Sequence, residues 1–466
     1  MDMAHDLVVF VPGVLGSVLR DEEGRDVWNL SLGVAGRVLL GMERYFEQLT
    51  LPPGMADETP QGPHGLAPSG LLREPRIWPG LMPHIAYKKL AGHLDGLIEG
   101  RVAVFPYDWR LSNRNSARRL QVFVERELGR WREQCAAAGD PAEPKVVFVC
   151  HSMGGLVTRY YLEVLGGREI ARSVVTLGTP YSGAVKAVQA LTGTFPRGKL
   201  LRVPERLRTR LITAARSMPS VHQLLPTYQC VSGHPDGTRL DSVSVPDLDS
   251  AMVRDGFAFR RELDEHIRKN AESDRAAGRS EPYELFPVGG RGEPTAVRLS
   301  VSAGAITYAD RFEKDGRWLG DGTVACVSAT PPEWESGARV DWFRLGHTAL
   351  PNDALLHRQL KDRYDALEHR PYQTLGVGFG IDVPEAVGAG EPVEVKAVSE
   401  ETGLLLEGRL VSPVTGEVLE RRRLLPDGEG GYHGVFTAPP GIWLTEVEAP
   451  RVTTAPVQRE TLVVLD

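Results

Sequence analysis

The sequence predicts an α/β fold with a mostly parallel sheet, followed by a smaller antiparallel β-sandwich. Over the first three quarters of the 466 residues, short apolar runs alternate with amphipathic helical patterns, which is typical of a parallel sheet covered on both faces. After Tyr372 the helical patterns end, and short alternating strands separated by turn residues begin. We therefore expect one domain over residues 1–370 and an immunoglobulin-like β-sandwich over residues 375–466, joined near Glu368–Thr374.

The strands of the predicted parallel sheet are short runs rich in Val, Leu and Phe. We place them at about Leu7–Val11, Arg101–Phe105, Lys145–Cys150, Ser173–Leu177, Val297–Ser302 and Val340–Arg344. A helix is predicted at about Ser116–Gln134, because its apolar residues recur on one helical face and its Arg and Glu residues on the other. A second helix is expected to begin after Ser152 and to end at Gly166-Gly167. The alternating strands of the sandwich are predicted at Pro392–Val398, Gly434–Ala438 and Trp443–Ala449.

Two stretches interrupt the alternation of strands and helices. Residues 22–95 are rich in Pro and Gly, and residues 181–292 combine helical patterns with a charged run. Because both lie between predicted core strands, we expect cap or lid insertions over the carboxyl edge of the sheet, where ligands bind in open α/β folds. Trp78, Leu81 and Met82 are the expected substrate contacts of the first insertion. The alternative is that these side chains pack a small core of the insertion itself.

Composition excludes several classes of function. The net charge of −7 and the pI near 6.0 argue against binding to nucleic acid. The four cysteines are scattered without metal-ligand spacing, so we expect reduced thiols, no metal and no cofactor. No signal peptide or transmembrane run is recognisable, which predicts a cytoplasmic protein whose membrane contact, if any, is peripheral. Nothing in the sequence indicates a protein partner for the sandwich.

The segment around Ser152 carries the clearest chemical signal. A predicted buried strand ends at Cys150, the chain turns at Ser152, and a helical pattern begins after Gly154-Gly155. This strand–turn–helix order predicts a nucleophile elbow, which presents a serine Oγ above the sheet of an α/β hydrolase. Cys150 occupies the position of the first Gly in the usual G-x-S-x-G pattern, and its small side chain fits the same close approach. The alternative is a serine that only caps a helix.

An activated serine needs a base and an acid that orients the base, in the chain order Ser, Asp or Glu, His. The acid candidate is Asp321, which lies between two glycines after Ser152 in the chain. Asp315 is a competitor, although its Asp-Gly pair resembles an ordinary hairpin turn. An aspartate beside glycine is by itself usually a turn residue, so the assignment depends on its position between the serine and the base.

The base candidate is His347, which follows a predicted strand. His357 is the main rival, but it lies inside the next helical pattern. His151 is adjacent to the serine and is expected to point away from it at a tight elbow, where it packs or forms hydrogen bonds beside the strand. We therefore assign the role of base to His347.

The tetrahedral intermediate of acyl transfer needs backbone N–H donors for its oxyanion. Met153, directly after the serine, is one expected donor. The other is Val14, in the glycine-rich loop after the first strand, where Gly13 permits close approach of the backbone. This loop lacks the spacing of phosphate-binding motifs, which argues against a nucleotide site.

Four segments together give the chain a family resemblance. They are Val11–Ser17, Phe105–Leu111, His151–Gly155 and Gly320–Val324. In matching order these segments resemble the lecithin:cholesterol acyltransferase family, which includes lysosomal phospholipase A2 and phospholipid:diacylglycerol acyltransferases. A fifth segment, Thr176–Pro180, is common in related lipases. The Pro-Tyr-Asp-Trp-Arg motif at 106–110 is the most specific of them. The resemblance covers roughly residues 6–360 and implies Ser152 as nucleophile, Asp321 as acid, His347 as base, and Val14 and Met153 as oxyanion donors.

The sequence thus predicts a serine hydrolase or acyltransferase that acts on lipid esters, with a phospholipase A-type reaction as the expected activity. A carboxylesterase acting on small or acylated natural-product esters is one alternative. A catalytically silent binding protein that works through its sandwich is another. Because every catalytic candidate precedes Tyr372, we expect deletion of residues 375–466 to leave small-ester hydrolysis largely intact.

Overall fold

The computed structural model of the chain supports a description of most, but not all, of the sequence. The described residues are 6–28, 47–52, 65–72, 87, 89–90, 92–93, 102–139, 143–194, 205–232, 238–302, 304–309, 320–334, 339–354, 356–358, 379–384, 386–399, 403–413, 415–427, 431–450, 452 and 457–465. The expected substrate contacts Trp78, Leu81 and Met82 and the linker near Glu368–Thr374 lie outside these residues, as does the rival acid Asp315.

Eleven described strands precede the C-terminal domain, and seven α-helices are described. The strands are β1 (Leu7–Val11), β2 (Ser17–Arg20), β3 (Asp26–Trp28), β4 (Ala67–Leu71), β5 (Val102–Val104), β6 (Val146–His151), β7 (Ala171–Leu177), β8 (Glu284–Gly290), β9 (Arg298–Ser302), β10 (Ala305–Ala309) and β11 (Asp341–Phe343). The helices are α1 (Asn113–Ala137), α2 (Met153–Glu163), α3 (Val185–Thr192), α4 (Glu205–Ser217), α5 (Pro219–His222), α6 (Ser250–Ala276) and α7 (Cys326–Ala329).

Six strands form one parallel sheet in the order β11-β8-β7-β6-β1-β5. Every residue of the central strands β1 and β6 is buried, because helices cover both faces of a parallel sheet. In the register of these strands, Val11 pairs with Cys150 and His151 with Leu177, so three carboxyl ends lie side by side. Together with the nucleophile elbow described below, this topology is that of an α/β hydrolase, and the predicted fold class is confirmed.

One predicted strand of the main sheet is wrong. The run at Val297–Ser302 forms β9, which pairs antiparallel with β10 in a separate two-stranded sheet. The main-sheet position belongs to β8, whose residues lie inside the stretch predicted as an insertion over 181–292. Pro287 within β8 made this run unlike a central strand. The Val288 carbonyl accepts the Gly178 N–H on the β7 side, so the backbone of Pro287 faces the side of β11. It is tolerated there because the pairing of β8 with β11 begins only at Val288.

The helix before the elbow strand begins earlier than its apolar periodicity predicts. Ser112 caps α1, with its Oγ accepting a hydrogen bond from Arg114 N–H at 3.1 Å. The helix after the elbow, α2, ends at Glu163, before the predicted stop at Gly166-Gly167. All eleven residues of α2 are buried, because the helix packs between the sheet, α1 and α6.

The C-terminal domain is a curled antiparallel β structure that closes around its own apolar core. Its strands are β12 (Phe379–Asp382), β13 (Ala386–Gly388), β14 (Val393–Ser399), β15 (Leu406–Val411), β16 (Val418–Pro426), β17 (Gly431–Phe436), β18 (Gly441–Glu448) and β19 (Gln458–Leu465). Two sheets are joined because β16 pairs with β15 along most of its length and with β17 at its end. Buried and exposed residues alternate along β14, as predicted for a sandwich strand.

Candidate active site

Ser152 lies at a strained turn between β6 and α2. Its backbone φ is +51° and its ψ is −123°, a conformation that is uncommon for a residue with a side chain. The first turn of α2 packs very closely on its neighbours. A side-chain carbon at Gly154 would lie 2.4 Å from the Val11 carbonyl oxygen, and one at Gly155 would lie 2.1 Å from Thr179 Oγ1. These are the features of a nucleophile elbow.

Cys150 fits at the position where glycine is usual. Its side chain is fully buried, and its Sγ lies 3.2 Å from Thr158 Oγ1 on α2. Burial raises the pKa of this thiol to about 12, so the group stays protonated near neutral pH. Cys150 is therefore an inert packing residue between strand and helix.

The structure brings Ser152, Asp321 and His347 together, although 195 positions separate the serine from the histidine. His347 Nε2 is 2.9 Å from Ser152 Oγ, and His347 Nδ1 is 2.8 Å from Asp321 Oδ2. All three side chains are buried. This is the hydrogen-bond chain by which a carboxylate orients an imidazole and the imidazole accepts a serine proton.

The acid and base loops are tied to each other by backbone contacts. The N–H of His347 donates to the Asp321 carbonyl at 2.8 Å. The second carboxylate oxygen, Asp321 Oδ1, accepts from the N–H groups of Thr323 at 3.0 Å and Val324 at 2.7 Å. These hydrogen bonds fix one carboxylate oxygen in the acid loop and leave the other for the histidine.

The two rival histidines are engaged elsewhere. His357 Nε2 lies 2.9 Å from the Pro351 carbonyl, and its ring stacks on His93. His151 points away from the serine, as expected at the elbow, and its partners are Tyr87 and the backbone of His347.

The contacts of His151 form a buried network that sequence reasoning did not find. The N–H of Gly13 donates to Tyr87 Oη at 2.9 Å, and Tyr87 Oη lies 2.8 Å from His151 Nδ1. On its other side, His151 Nε2 lies 3.1 Å from the carbonyl oxygen of His347. The neutral tautomer that satisfies all three contacts accepts a hydrogen bond from Tyr87 Oη at Nδ1 and donates one from Nε2 to the His347 carbonyl. Burial lowers the pKa of His151 well below its usual value, which favours this neutral form.

The network connects the glycine-rich loop to the base loop. Val14, the predicted oxyanion donor, directly follows Gly13, whose own N–H is occupied by Tyr87. Met153, the other predicted donor, begins α2 directly after the serine. A side-chain carbon at Gly13 would lie 3.0 Å from Ser152 Cβ, so only glycine gives this loop its approach to the elbow.

Side chains of the Pro-Tyr-Asp-Trp-Arg motif form hydrogen bonds to the backbone of the glycine-rich loop. Tyr107 Oη donates to the Pro12 carbonyl at 2.8 Å, and Trp109 Nε1 donates to the Ser17 carbonyl at 3.1 Å. The Arg110 guanidinium holds the Asp108 carboxylate through two buried contacts, at 2.9 and 2.8 Å. The motif is thus a structural support for residues 12–17, near the site but without direct contact to Ser152 Oγ.

An apolar pocket of about 400 Å³, including its solvent-open part, lies beside the elbow. Small and branched side chains line this pocket. Three of them are alanines spaced three residues apart, one directly before α3 and two within it. The lining includes Val14, Ser152, Ala184, Ala187, Ala190 and Leu224. Lys186 and Thr323 stand at its polar rim, with Lys186 Nζ 3.4 Å from Thr323 Oγ1.

Two features are absent from the described part of the chain. No helix within them is long and apolar enough to cross a membrane. No cluster of three or more His, Cys, Asp or Glu side chains that could hold a metal ion occurs in the same part of the chain.

The fold and the site define a protein of the α/β-hydrolase class with a serine at its elbow. Residues 84–245 match the model of the lecithin:cholesterol acyltransferase family, which confirms the resemblance that the motifs indicated. The matched segment contains the Pro-Tyr-Asp-Trp-Arg motif and Ser152 but ends before Asp321 and His347. No curated protein sequence matches the chain.

Two forms of one lipase are among the solved structures that the chain resembles. The Bacillus licheniformis lipase BlEst2 in propeptide form is 13% identical, with a TM-score of 0.37, over 99% of this chain and 74% of that one. Its mature form is 14% identical, with a TM-score of 0.34, over 78% and 93%. The phospholipase PlaB from Legionella pneumophila, in complex with thio-NAD, is 11% identical, with a TM-score of 0.27, over 99% and 89%. At these TM-scores the likenesses carry no weight, and the fold assignment rests on the sheet and the elbow.

Proposed function

We propose that the protein is a serine acyl hydrolase or acyltransferase that acts on lipid esters through an acyl-enzyme on Ser152. The observation that carries the proposal is the buried chain of hydrogen bonds from Asp321 through His347 to Ser152 Oγ. The family match over residues 84–245 supports ester hydrolysis or acyl transfer as the reaction class. A phospholipase A-type release of a fatty acid is the specific activity we propose.

In the first half-reaction, Ser152 Oγ attacks the ester carbonyl carbon while its proton passes to His347 Nε2. The negative charge on the carbonyl oxygen is met by the N–H groups of Val14 and Met153. His347 then gives the proton to the departing alkoxide, and the acyl group remains bonded to Ser152. Asp321 keeps the imidazole in the tautomer with Nδ1–H and stabilises its charged form.

In the second half-reaction an acceptor attacks the acyl-enzyme and gives its proton to His347 Nε2. Water as acceptor releases a fatty acid, whereas an alcohol yields a new ester. Both outcomes restore Ser152 Oγ–H when the intermediate collapses and His347 returns the proton. The triad is the same for either acceptor, so the choice depends on which acceptor reaches the acyl-enzyme.

The apolar pocket supports an acyl chain as the group that is transferred. It opens directly at Ser152 and is lined by Ala184, Ala187 and Ala190, whose small side chains leave room for methylene groups. Burying each methylene contributes about 0.8 kcal/mol to binding. We propose Trp78, Leu81 and Met82 as further contacts of the lipid, through which the first insertion makes a peripheral membrane contact.

The test is product analysis by mass spectrometry after incubation with mixed phospholipid vesicles, with and without a lipophilic alcohol. We expect free fatty acid and lysophospholipid, with new acyl esters in the presence of alcohol if the protein transfers acyl groups. Ser152→Ala is the control and should yield none of these products.

Two results would redirect the proposal. Turnover of short soluble esters without any lipid turnover would identify a general carboxylesterase. An absence of all ester turnover would leave the catalytically silent binding protein.

A further inference from the structure

Among the described residues, hydrogen bonds from the C-terminal domain reach the segments that hold the loops of Asp321 and His347. We propose that this domain is a positioning part of the catalytic unit and holds the acid and base loops in register through Gln458 and the backbone of Ile381. The inference rests on the proposed roles of Asp321 and His347. It gives a function within this chain to a domain for which the sequence suggested none.

On the acid side, the contact passes through Glu293. The N–H of Ile381 on β12 donates to Glu293 Oε2 at 3.3 Å. Glu293 in turn donates its own N–H to the Gly320 carbonyl at 3.0 Å, directly before Asp321. Two residues further on, Thr295 Oγ1 accepts the N–H of Gly322 at 2.8 Å. Residues 293–295 are therefore hydrogen-bonded both to the loop that carries Asp321 and to the C-terminal domain.

On the base side, Gln458 bridges the two domains. Its Nε2 donates to the Arg344 carbonyl at 3.3 Å and to the Phe379 carbonyl at 3.0 Å. Arg344 follows β11 and precedes His347 by three residues. The same amide thus fixes the start of the base loop to the first strand of the C-terminal domain.

Both bridging side chains are buried. Glu293 is 5% exposed and Gln458 is 3% exposed, so water does not replace their partners at low cost. Beside them, a cleft has Asp321, His347 and Thr348 on its catalytic wall and Ile381, Asp382 and Glu460 on the wall of the C-terminal domain. The C-terminal domain therefore faces the acid–base pair across this cleft, which shares Lys186 and Thr323 with the pocket beside Ser152.

Small shifts of these loops have large effects on rate. A misplacement of about 1 Å between reacting groups costs as much as about 10²-fold in rate. Loss of the Gln458 bridge should move His347 by less than that, and we expect a decrease in kcat of about 10-fold. This proposal reverses the expectation that residues 375–466 are dispensable for small-ester hydrolysis.

The test uses full-length protein and two readouts. One is kcat and KM for a soluble p-nitrophenyl ester, and the other is the rate at which a fluorophosphonate labels Ser152 with loss of fluoride. In Gln458→Met, which keeps the size but lacks the donor, we expect both kcat and the labelling rate to fall about 10-fold with KM unchanged. Glu293→Ala should behave similarly, whereas Glu293→Gln retains a carbonyl acceptor for Ile381 and should stay near wild type.

Two controls separate positioning from general stability. Arg459→Ala alters the neighbouring residue on β19, whose partner Glu446 lies within the C-terminal domain, and should leave both rates unchanged. The second control repeats Gln458→Met in an Asp321→Asn background. If Gln458 acts through the acid–base pair, its effect there should shrink to less than about 3-fold.

The outcomes distinguish this inference from the proposed function. Wild-type rates in both Gln458→Met and Glu293→Ala overturn the inference alone, and so does an undiminished effect in the Asp321→Asn background. Wild-type protein that is not labelled at Ser152 overturns the proposed function and this inference with it.

Discussion

Ser152 is held by the central sheet, whereas Asp321 and His347 stand on loops that a second domain contacts. The serine N–H donates to the Leu177 carbonyl at 2.8 Å, and its carbonyl accepts from Thr179 Oγ1 at 2.9 Å, both within the buried carboxyl edge. The base loop instead follows β11, a three-residue strand at the edge of the sheet. One local motif is therefore enough to position the nucleophile. The loops that carry the acid and the base need contacts with residues distant in the sequence to hold their positions.

The largest effect should come from the nucleophile side. Ser152→Ala removes the atom that becomes acylated, and we expect kcat for a p-nitrophenyl ester to fall by about 10⁵–10⁶-fold. Alanine keeps the Cβ of Ser152 and removes only Oγ, so circular dichroism should show an intact fold. Residual activity of more than one part in a hundred would assign the reaction to another group.

Asp321→Asn tests the acid–base side. The amide leaves the loop in place but no longer fixes the histidine tautomer or stabilises its charge, and kcat should fall by about 10⁴-fold. The matched control is Asp353→Asn, because Asp353 also caps a backbone N–H, that of Leu356, without touching the triad. Near-normal turnover in Asp321→Asn would move the acid role to another residue, with Asp315 the first to examine.

Tyr87→Phe tests whether the nucleophile side depends on its buried network. The change removes the Oη that accepts from Gly13 and contacts His151, and leaves the Gly13 N–H unpaired at a cost of about 1–3 kcal/mol. We expect a lower unfolding temperature and a decrease in kcat of about 10-fold, because the Val14 donor follows Gly13. Unchanged kcat in Tyr87→Phe, measured with the same soluble ester, would show that the network does not position the oxyanion loop.

The smallest effect concerns pH and stability. Burial lowers the pKa of His151 well below its usual value, so below about pH 6.5 the unfolded chain takes up a proton that the folded protein excludes. The stability that neutral His151 provides is present above pH 6.5 and is lost as the pH falls. Between pH 7.5 and 5.5 this loss should be about 1.4 kcal/mol for His151 alone.

Urea unfolding at these two pH values measures the difference. In His151→Gln the decrease in unfolding free energy should be smaller than in wild type by about the same amount, because glutamine does not titrate. His222 and His357, whose pKa values burial also lowers, account for part of the decrease that remains. An identical decrease in His151→Gln and wild type would mean that His151 is protonated in the folded state.

The elements that sequence reasoning identified correctly have local signals. Strands β1 and β6 are contiguous apolar runs, and the elbow at Ser152 needs only its neighbours and Gly154-Gly155 to be recognised. The residues Asp321 and His347 were found because the chain order of a hydrolase triad restricts the candidates. The structure brings these three side chains together, while their catalytic roles remain a proposal.

The elements that sequence reasoning missed depend on contacts between distant residues. Strand β8 was assigned to an insertion because residues 181–292 combine helical patterns with a charged run. Strand β9 was assigned to the main sheet because Val297–Ser302 is a short apolar run. Tyr87 meets His151 across 64 positions, and Gln458 meets Arg344 across 114. No local periodicity encodes such pairs, so they become visible only in the folded chain.

The most direct test of the central claim is to locate the acyl group on the enzyme. Wild-type protein is mixed with a p-nitrophenyl ester, quenched in acid within the first turnover and digested with trypsin, and the peptide 146–159 is examined by mass spectrometry. The account predicts that this peptide carries one acyl group on Ser152, and that it carries none in Ser152→Ala. An acyl group on Cys150 or on another peptide, or turnover without any acylated peptide, would contradict it.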